Sequence, residues 1–123
     1  MARILIADDD AHVIRIMSLW LQRHGHQVSE VRNGQKALEF LDKHEVDFII
    51  SDINMPVMNG LELLQAVRKE KELVMPFLLI SSRCDQKELR EVVTPLNARV
   101  YPKPFVPSKL VSEIDQMLMA AQS

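Results

Sequence analysis

The sequence is poor in cysteine, in long apolar runs and in net positive charge, on which disulfide-rich, membrane-spanning and nucleic-acid-binding proteins respectively depend. Of its 123 residues one is a cysteine, Cys84, which excludes an intrachain disulfide and fits a reducing compartment. No run approaches the roughly 20 consecutive apolar residues that a membrane-spanning helix needs. The formal net charge of -2 argues against a broad nucleic-acid-binding face, which requires clustered Lys and Arg. We therefore expect a cytoplasmic protein that binds neither a membrane nor nucleic acid directly.

Glycine is also scarce, and its placement excludes a common class of phosphate-binding loop. The chain has three glycines, Gly25, Gly34 and Gly60. None belongs to a G-x-G-x-x-G or Walker-type loop, which weakens any nucleotide-binding interpretation. All three fall between segments of regular hydrophobic pattern, where turn residues are expected.

What the sequence does contain is a regular alternation of short apolar runs and amphipathic segments. The runs predict strands, buried on both faces, over residues 4–7, 27–31, 46–51, 77–81 and 99–101. The amphipathic segments carry apolar residues at helical spacing around residues 13–20, 37–41, 61–67, 89–93 and 110–118. Five successive β-α units predict a doubly wound α/β fold, with a parallel sheet and helices on both faces. The length predicts one domain over residues 1–123.

Polar residues follow four of the predicted strands at the points where the strands end. In an open parallel sheet, ligands bind at the carboxyl ends of the strands, where the winding direction reverses. Acids follow strands 1 and 3, a hydroxyl closes strand 4, and a lysine follows strand 5. The residues concerned are Asp8, Asp9 and Asp10, then Asp52, Ser81 and Lys103.

The clustered carboxylates indicate a cation site. Two carboxylates about 5 Å apart repel by roughly 3 kcal/mol at an effective dielectric constant of about 20, and three would not stay ionised together without compensation. Mg²⁺ suits such a site because it takes oxygen ligands, often carboxylates with phosphate oxygens. An aspartate can itself attack phosphorus to form an aspartyl phosphate, and phosphoryl transfer depends mainly on charge neutralisation. The pattern therefore predicts a magnesium-dependent phosphoacceptor site, with Lys103 and Ser81 contributing to neutralisation.

The ordered set of motifs resembles the receiver domain of two-component response regulators. The resemblance extends over essentially the whole chain and implies a flavodoxin-like (βα)5 fold with strand order 2-1-3-4-5. The motifs that carry it are Ile4-Leu5-Ile6-Ala7-Asp8-Asp9-Asp10, Asp52-Ile53-Asn54-Met55-Pro56 leading to Asn59-Gly60, then Ser81, then Lys103-Pro104-Phe105.

The resemblance implies a role for each acidic residue of the site. Asp52 is the expected phosphoacceptor and also a Mg²⁺ ligand. Asp9 is expected to bind Mg²⁺ directly, Asp8 through water, and Asn54 through its backbone carbonyl. Mg²⁺ is the one cofactor that the resemblance implies.

The resemblance also implies partners and an output surface. Ser81 is expected to contact the phosphoryl group and Lys103 to pair with it, with a cis peptide before Pro104. The donor is a histidine kinase or phosphotransfer protein, and the output surface is the face formed by helix 4, strand 5 and helix 5. The downstream target is unknown, and a homodimer through that face is left open. The protein is not expected to be an enzyme beyond its own phosphorylation and slow dephosphorylation, whose rate the positions of Asn54 and Arg83 influence in this family.

Four residues in and near strand 5 bear on how closely the chain follows the family pattern. An aromatic residue usually stands three positions before the lysine, but here that position is Val100 and the aromatic residue is Tyr101. Because side chains alternate along a strand, Tyr101 is expected on the opposite face from Val100 unless a bulge exchanges them. Pro102 lacks an N–H donor, which fits an edge strand. Asn97 replaces a frequent glycine, and asparagine tolerates a positive φ.

Two other functions fit part of the pattern. The first is a haloacid-dehalogenase-type phosphatase with Asp8 as nucleophile, since Asp8, Asp10, Ser81 and Lys103 follow its motif order. No acidic pair follows the lysine, however, and the chain leaves little room for a cap domain. The second is a phosphate-independent interaction module of the same fold. For Asp10 itself a helix-capping role is expected, because a helix is predicted to begin directly after it.

Overall fold

The computed structural model describes residues 2–82 and 86–122 of the chain. Arg83, which is expected to influence dephosphorylation, and Cys84 lie outside the described residues. None of the helices in the described ranges is long and apolar enough to cross a membrane.

Five strands alternate with five α-helices along the described chain. The strands are β1 (Arg3–Ala7), β2 (Gln27–Val31), β3 (Phe48–Asp52), β4 (Phe77–Ser81) and β5 (Ala98–Pro102). The α-helices are α1 (Ala11–Arg23), α2 (Gly34–Lys43), α3 (Gly60–Gln65), α4 (Gln86–Val93) and α5 (Pro107–Gln122). Helix α3 continues into a π-helical segment (Ala66–Glu70), and α4 into a 3₁₀ turn (Thr94–Leu96).

The strands form one parallel sheet in the order β2-β1-β3-β4-β5, which confirms the predicted fold and strand order. Every residue of β3 and of β4 is buried, as expected of central strands with helices on both faces. Helices α2, α3 and α4 pack on one face of the sheet, and α1 and α5 on the other. β5 is an edge strand, so Pro102 at its end needs no ladder hydrogen bond.

Polar side chains cap the helices that begin at the carboxyl edge of the sheet. The Asp10 carboxylate accepts hydrogen bonds from the backbone N–H groups of His12 and Val13, which confirms the predicted cap of α1. Asn59 and Glu62 form a reciprocal capping box at the start of α3. These caps fix the residues at which α1 and α3 begin. They also restrain the loops before those helices, which lie beside the polar cluster.

Two glycines are required for space. Gly34 and Gly60 are the first residues of α2 and α3, so the prediction that all three glycines lie between elements is wrong for these two. A Cβ on Gly60 would lie 2.3 Å from the backbone oxygen of Asp52 and 2.8 Å from Cδ1 of Leu79. Gly25 is the turn residue, with a φ of +85°.

Arg68 joins two loops at the amino edge of the sheet. Its guanidinium donates to four backbone carbonyls, two before β4 and two before β5. The acceptors are Leu73, Met75, Leu96 and Asn97, at 2.6 to 3.1 Å. Asn97 itself has a φ of 56°, as its sequence position led us to expect. One half-buried cation thereby connects the π-helical segment to the loop before β4 and to the turn between α4 and β5.

Val57, in the loop between β3 and α3, has an unfavourable backbone conformation that replacement should relieve. Its φ is 70° and its side chain is 80% exposed, so burial does not offset the strain. Val57→Asn is expected to raise the free energy of unfolding by about 1 kcal/mol, because asparagine adopts this conformation more readily. Urea denaturation measures the difference. Val74 is equally exposed, and Val74→Asn should leave stability nearly unchanged; equal effects of the two replacements would contradict the assignment of strain.

Candidate functional site

The centre of the polar cluster is Asp52, the last residue of β3. It pairs in register with Ile80 of β4, and its side chain is 8% exposed. The Ser51 hydroxyl donates to the backbone oxygen of Asp52 at 2.9 Å, and the Gly60 N–H donates to the oxygen of Ile53 at 3.0 Å. The backbone on either side of the Asp52 carboxylate is therefore fixed by hydrogen bonds.

Two further carboxylates from the end of β1 face Asp52. Asp8 is fully buried, its N–H donates to the Val31 oxygen, and its Oδ1 accepts from the Asp10 N–H at 2.9 Å. Asp9 is exposed. One carboxylate oxygen from each of Asp8, Asp9 and Asp52 lies within 4.8 Å of the other two. The predicted clustering of acids at the carboxyl edge is therefore present in the fold.

Lys103 supplies the positive charge of the cluster. Its Nζ lies 3.0 Å from Oδ1 of Asp52 and 3.9 Å from Oδ2 of Asp8. Burial lowers the pKa of Lys103, but its hydrogen bond to Asp52 and the charges of Asp52 and Asp8 outweigh burial and raise that pKa above the ordinary value. The Lys103–Pro104 peptide is cis, as the family resemblance implies. Lys103 therefore stays cationic beside two carboxylates.

The pKa of the Asp8 carboxyl is raised from 3.8 to about 6. Burial is the largest cause, and the negative charge of Asp52 adds to it; the Asp10 N–H and the charge of Lys103 act in the opposite direction. A single lysine therefore does not fully compensate the acidic cluster.

The cluster fits a small divalent cation. Oδ2 of Asp8 is buried and has no hydrogen-bond partner among the residues that the structure describes. One carboxylate oxygen from each of Asp8, Asp9 and Asp52 gives an all-oxygen donor set, which hard cations such as Mg²⁺ prefer. Asn54, two residues after Asp52, lies exposed in the loop that leaves the cluster.

Ser81 ends β4, the strand next to β3, and is fully buried. Its backbone carbonyl accepts hydrogen bonds from the Lys103 N–H at 2.9 Å and from the Gln86 side-chain amide at 3.2 Å. Gln86 was not predicted as a site residue, because a glutamine in an amphipathic helix has no distinctive sequence signal. The predicted residues thus lie at one edge of the sheet, while the role of each stays a prediction.

Comparison with known proteins decides the family. The family model described as response regulator receiver domain matches residues 4–115, most of the chain. The chain belongs to the response-regulator receiver domain family. This membership does not favour the phosphatase alternative, in which Asp8 would be the nucleophile.

The receiver domain resembles proteins of known role along most of its length. It is 38% identical over 122 residues to a chemotaxis protein CheY homolog of Campylobacter jejuni, a match that covers 94% of this chain and 92% of that protein. It is 33% identical to response regulator GtcR of Aneurinibacillus migulanus over 96% of this chain, but spans 48% of that longer protein. The structure of chemotaxis response regulator CheY4 of Vibrio cholerae superposes with a TM-score of 0.87 at 31% identity, covering 95% of this chain and 98% of that one.

Proposed function

We propose that this receiver domain accepts a phosphoryl group on Asp52 from a histidine kinase or phosphotransfer protein, in a Mg²⁺-dependent reaction, and signals through the face formed by α4, β5 and α5. The observation that carries the proposal is the position of the Asp52 carboxylate. It is nearly buried, 3.0 Å from the Lys103 ammonium and within 4.8 Å of oxygens of Asp8 and Asp9. The proposal treats the domain as a phosphoacceptor, with no other enzymatic activity.

The reaction needs a nucleophile and charge neutralisation. An Asp52 oxygen attacks the phosphorus of a phosphohistidine, the new O–P bond forms as the N–P bond breaks, and the released imidazole nitrogen keeps the electron pair and takes up a proton. Lys103, which is already paired with Asp52, is proposed to pair with the transferred group. Ser81, at the end of β4, is proposed to contact that group through its hydroxyl. Asp8, Asp9, Asp52 and the Asn54 carbonyl would hold Mg²⁺, which when bound neutralises charge on the carboxylates and on the phosphoryl oxygens.

The output requires a shift between two states of the domain. Moving a population from 1:99 to 99:1 takes about 5.5 kcal/mol of differential stabilisation. One charge-assisted hydrogen bond contributes about 1.5–3 kcal/mol, so neither Lys103 nor Ser81 alone suffices. The proposal therefore assigns the shift to both residues acting together. It places the domain in the cytoplasm beside its donor, and it leaves open both a homodimer through the same face and the downstream target.

The direct test is phosphorylation by a small phosphodonor. Incubation with acetyl phosphate and Mg²⁺ should add one base-labile phosphoryl group, measured by intact mass. Asp52→Asn should abolish the adduct, since an amide is a poor nucleophile. Asp42 is a matched control, because it also pairs with a lysine, Lys71, but outside the cluster; Asp42→Asn should be phosphorylated normally.

Two results would count against the proposal. An adduct that persists in Asp52→Asn and maps to Asp8 would move the acceptor to the phosphatase alternative. An absence of adduct on the unmodified chain, with Mg²⁺ shown to bind by titration, would favour the phosphate-independent interaction module.

A further inference from the structure

The Ser81 carbonyl is a point where three parts of the fold meet. It accepts from the backbone N–H of Lys103, which follows β5, and from the side-chain amide of Gln86, the first residue of α4. Ser81 itself ends β4, beside the strand that carries Asp52. A displacement of the Ser81 peptide therefore acts directly on the first turn of α4.

The Gln86 hydrogen bond is a polar connection between the first turn of α4 and the site. Leu89 and Val93 bury the helix against the α2–α3–α4 side of the sheet through apolar contacts. Apolar packing of this kind is not directional, so it does not by itself fix where the first turn of α4 lies relative to the Ser81 peptide. The Gln86 hydrogen bond is directional and ties the end of the helix that lies nearest the site.

Strand β5 does not offer an aromatic link to α4 at the expected position. Val100 packs on the side of the sheet that carries α4, whereas Tyr101 packs on the opposite side with α1 and α5. The pairing of β5 with β4 runs residue by residue, without a bulge that would exchange the two. The side chain that packs on the α4 side of the sheet at this position is therefore aliphatic.

We propose that Gln86 is a positioning residue that transmits phosphorylation of Asp52 to α4, through its side-chain hydrogen bond to the Ser81 carbonyl. When the Ser81 hydroxyl turns toward the phosphoryl group, the Ser81 peptide shifts, and the first turn of α4 follows through Gln86. This inference rests on the proposed function and assigns the coupling step within it.

The test is hydrogen–deuterium exchange of α4, before and after phosphorylation of the full chain with acetyl phosphate and Mg²⁺. Gln86→Glu keeps the shape of the side chain but removes its N–H donor, and Gln86→Ala removes the side chain. Both variants should be phosphorylated like the unmodified chain, while the phosphorylation-dependent change in α4 exchange falls at least twofold. Gln86→Lys restores a donor and should recover the change.

The matched control is Gln35, an exposed glutamine in the first turn of α2. Gln35→Glu should keep the full change in α4 exchange. A residue that only stabilises α4 would alter its exchange equally in both states and leave the difference between them intact. Exchange of α1 and α5 in the same samples reports whether each variant is folded.

The outcomes separate this inference from the proposed function. Equal phosphorylation-dependent changes in Gln86→Glu and in the unmodified chain overturn the role of Gln86. So does an unmodified chain that is phosphorylated without any change in α4 exchange, although the acceptor function then stands. An unmodified chain that takes up no phosphoryl group overturns both proposals.

Discussion

Replacing Gly60 by alanine is expected to be among the most damaging single changes in this domain. The new Cβ would lie 2.3 Å from the Asp52 backbone oxygen, 2.8 Å from Leu79 and 3.0 Å from Cα of Ile53. Two of these neighbours are backbone atoms, which cannot rotate aside as a flexible side chain can. Either β3 or the start of α3 must therefore move, at a cost of about 3 kcal/mol in the free energy of unfolding. Urea denaturation measures this cost.

The same replacement should also slow phosphorylation, because the atom that is displaced belongs to Asp52. Gly25→Ala is the control: Gly25 has a positive φ but nothing within 4 Å of a Cβ, so about 1 kcal/mol is expected from backbone strain alone. A Gly60→Ala protein as stable as Gly25→Ala would show that the close approach of β3 and α3 is not as tight as these distances indicate.

Replacing Asp8 by asparagine is expected to stabilise the metal-free domain at neutral pH. The pKa of Asp8 is about 6 in the fold against 3.8 ordinarily, so the folded protein binds a proton that the unfolded chain has released. The free energy of unfolding without metal therefore falls as pH rises from about 4 to about 6, and stays low above that range. Asp8→Asn removes this loss and keeps the acceptor for the Asp10 N–H.

The expected gain at pH 7.5 is about 2 kcal/mol, less than the full equivalent of a two-unit pKa shift because the rim of the cluster is solvated. It corresponds to a melting temperature higher by roughly 8 °C, with no gain at pH 4. Thermal melts in EDTA measure both. Saturating Mg²⁺ should stabilise the unmodified chain more than the Asp8→Asn protein. The difference between their melting temperatures should therefore become smaller. A destabilised Asp8→Asn protein in EDTA at pH 7.5 would show that Asp8 is not under electrostatic strain.

The fold and the composition of the site were predictable because both depend on local sequence. Short apolar runs mark the strands, and the carboxyl ends of parallel strands must meet at one edge. The acids that follow β1 and β3 were therefore expected at the same edge as Lys103 after β5, whereas the strand order was implied by the family resemblance. The alternation of side chains along β5 similarly predicted that Tyr101 and Val100 occupy opposite faces, which the packing confirms.

The features that were not predictable depend on distances between distant parts of the chain. The requirement for glycine at position 60 comes from the approach of α3 to β3 and has no local signature. The four carbonyls that Arg68 binds come from two separate loops. The π-helical segment after α3 was not predicted, and the contact of Gln86 with the Ser81 carbonyl joins two elements whose approach has no local signature. The roles assigned to the site residues stay predictions until phosphorylation is measured.

The hydrogen bonds of the Arg68 guanidinium restrain one of the two edges of the sheet. That edge is the amino edge, and it includes the 3₁₀ turn (Thr94–Leu96) that follows α4. The charged cluster lies at the opposite, carboxyl edge. A rigid helix that is held at one end moves most at its other end. In the role proposed for Gln86, a displacement of the Ser81 peptide would move the Gln86 end of α4, and the end held by Arg68 would be the pivot of that tilt. A partner that senses this tilt would find the largest movement at the Gln86 end and almost none at the pivot.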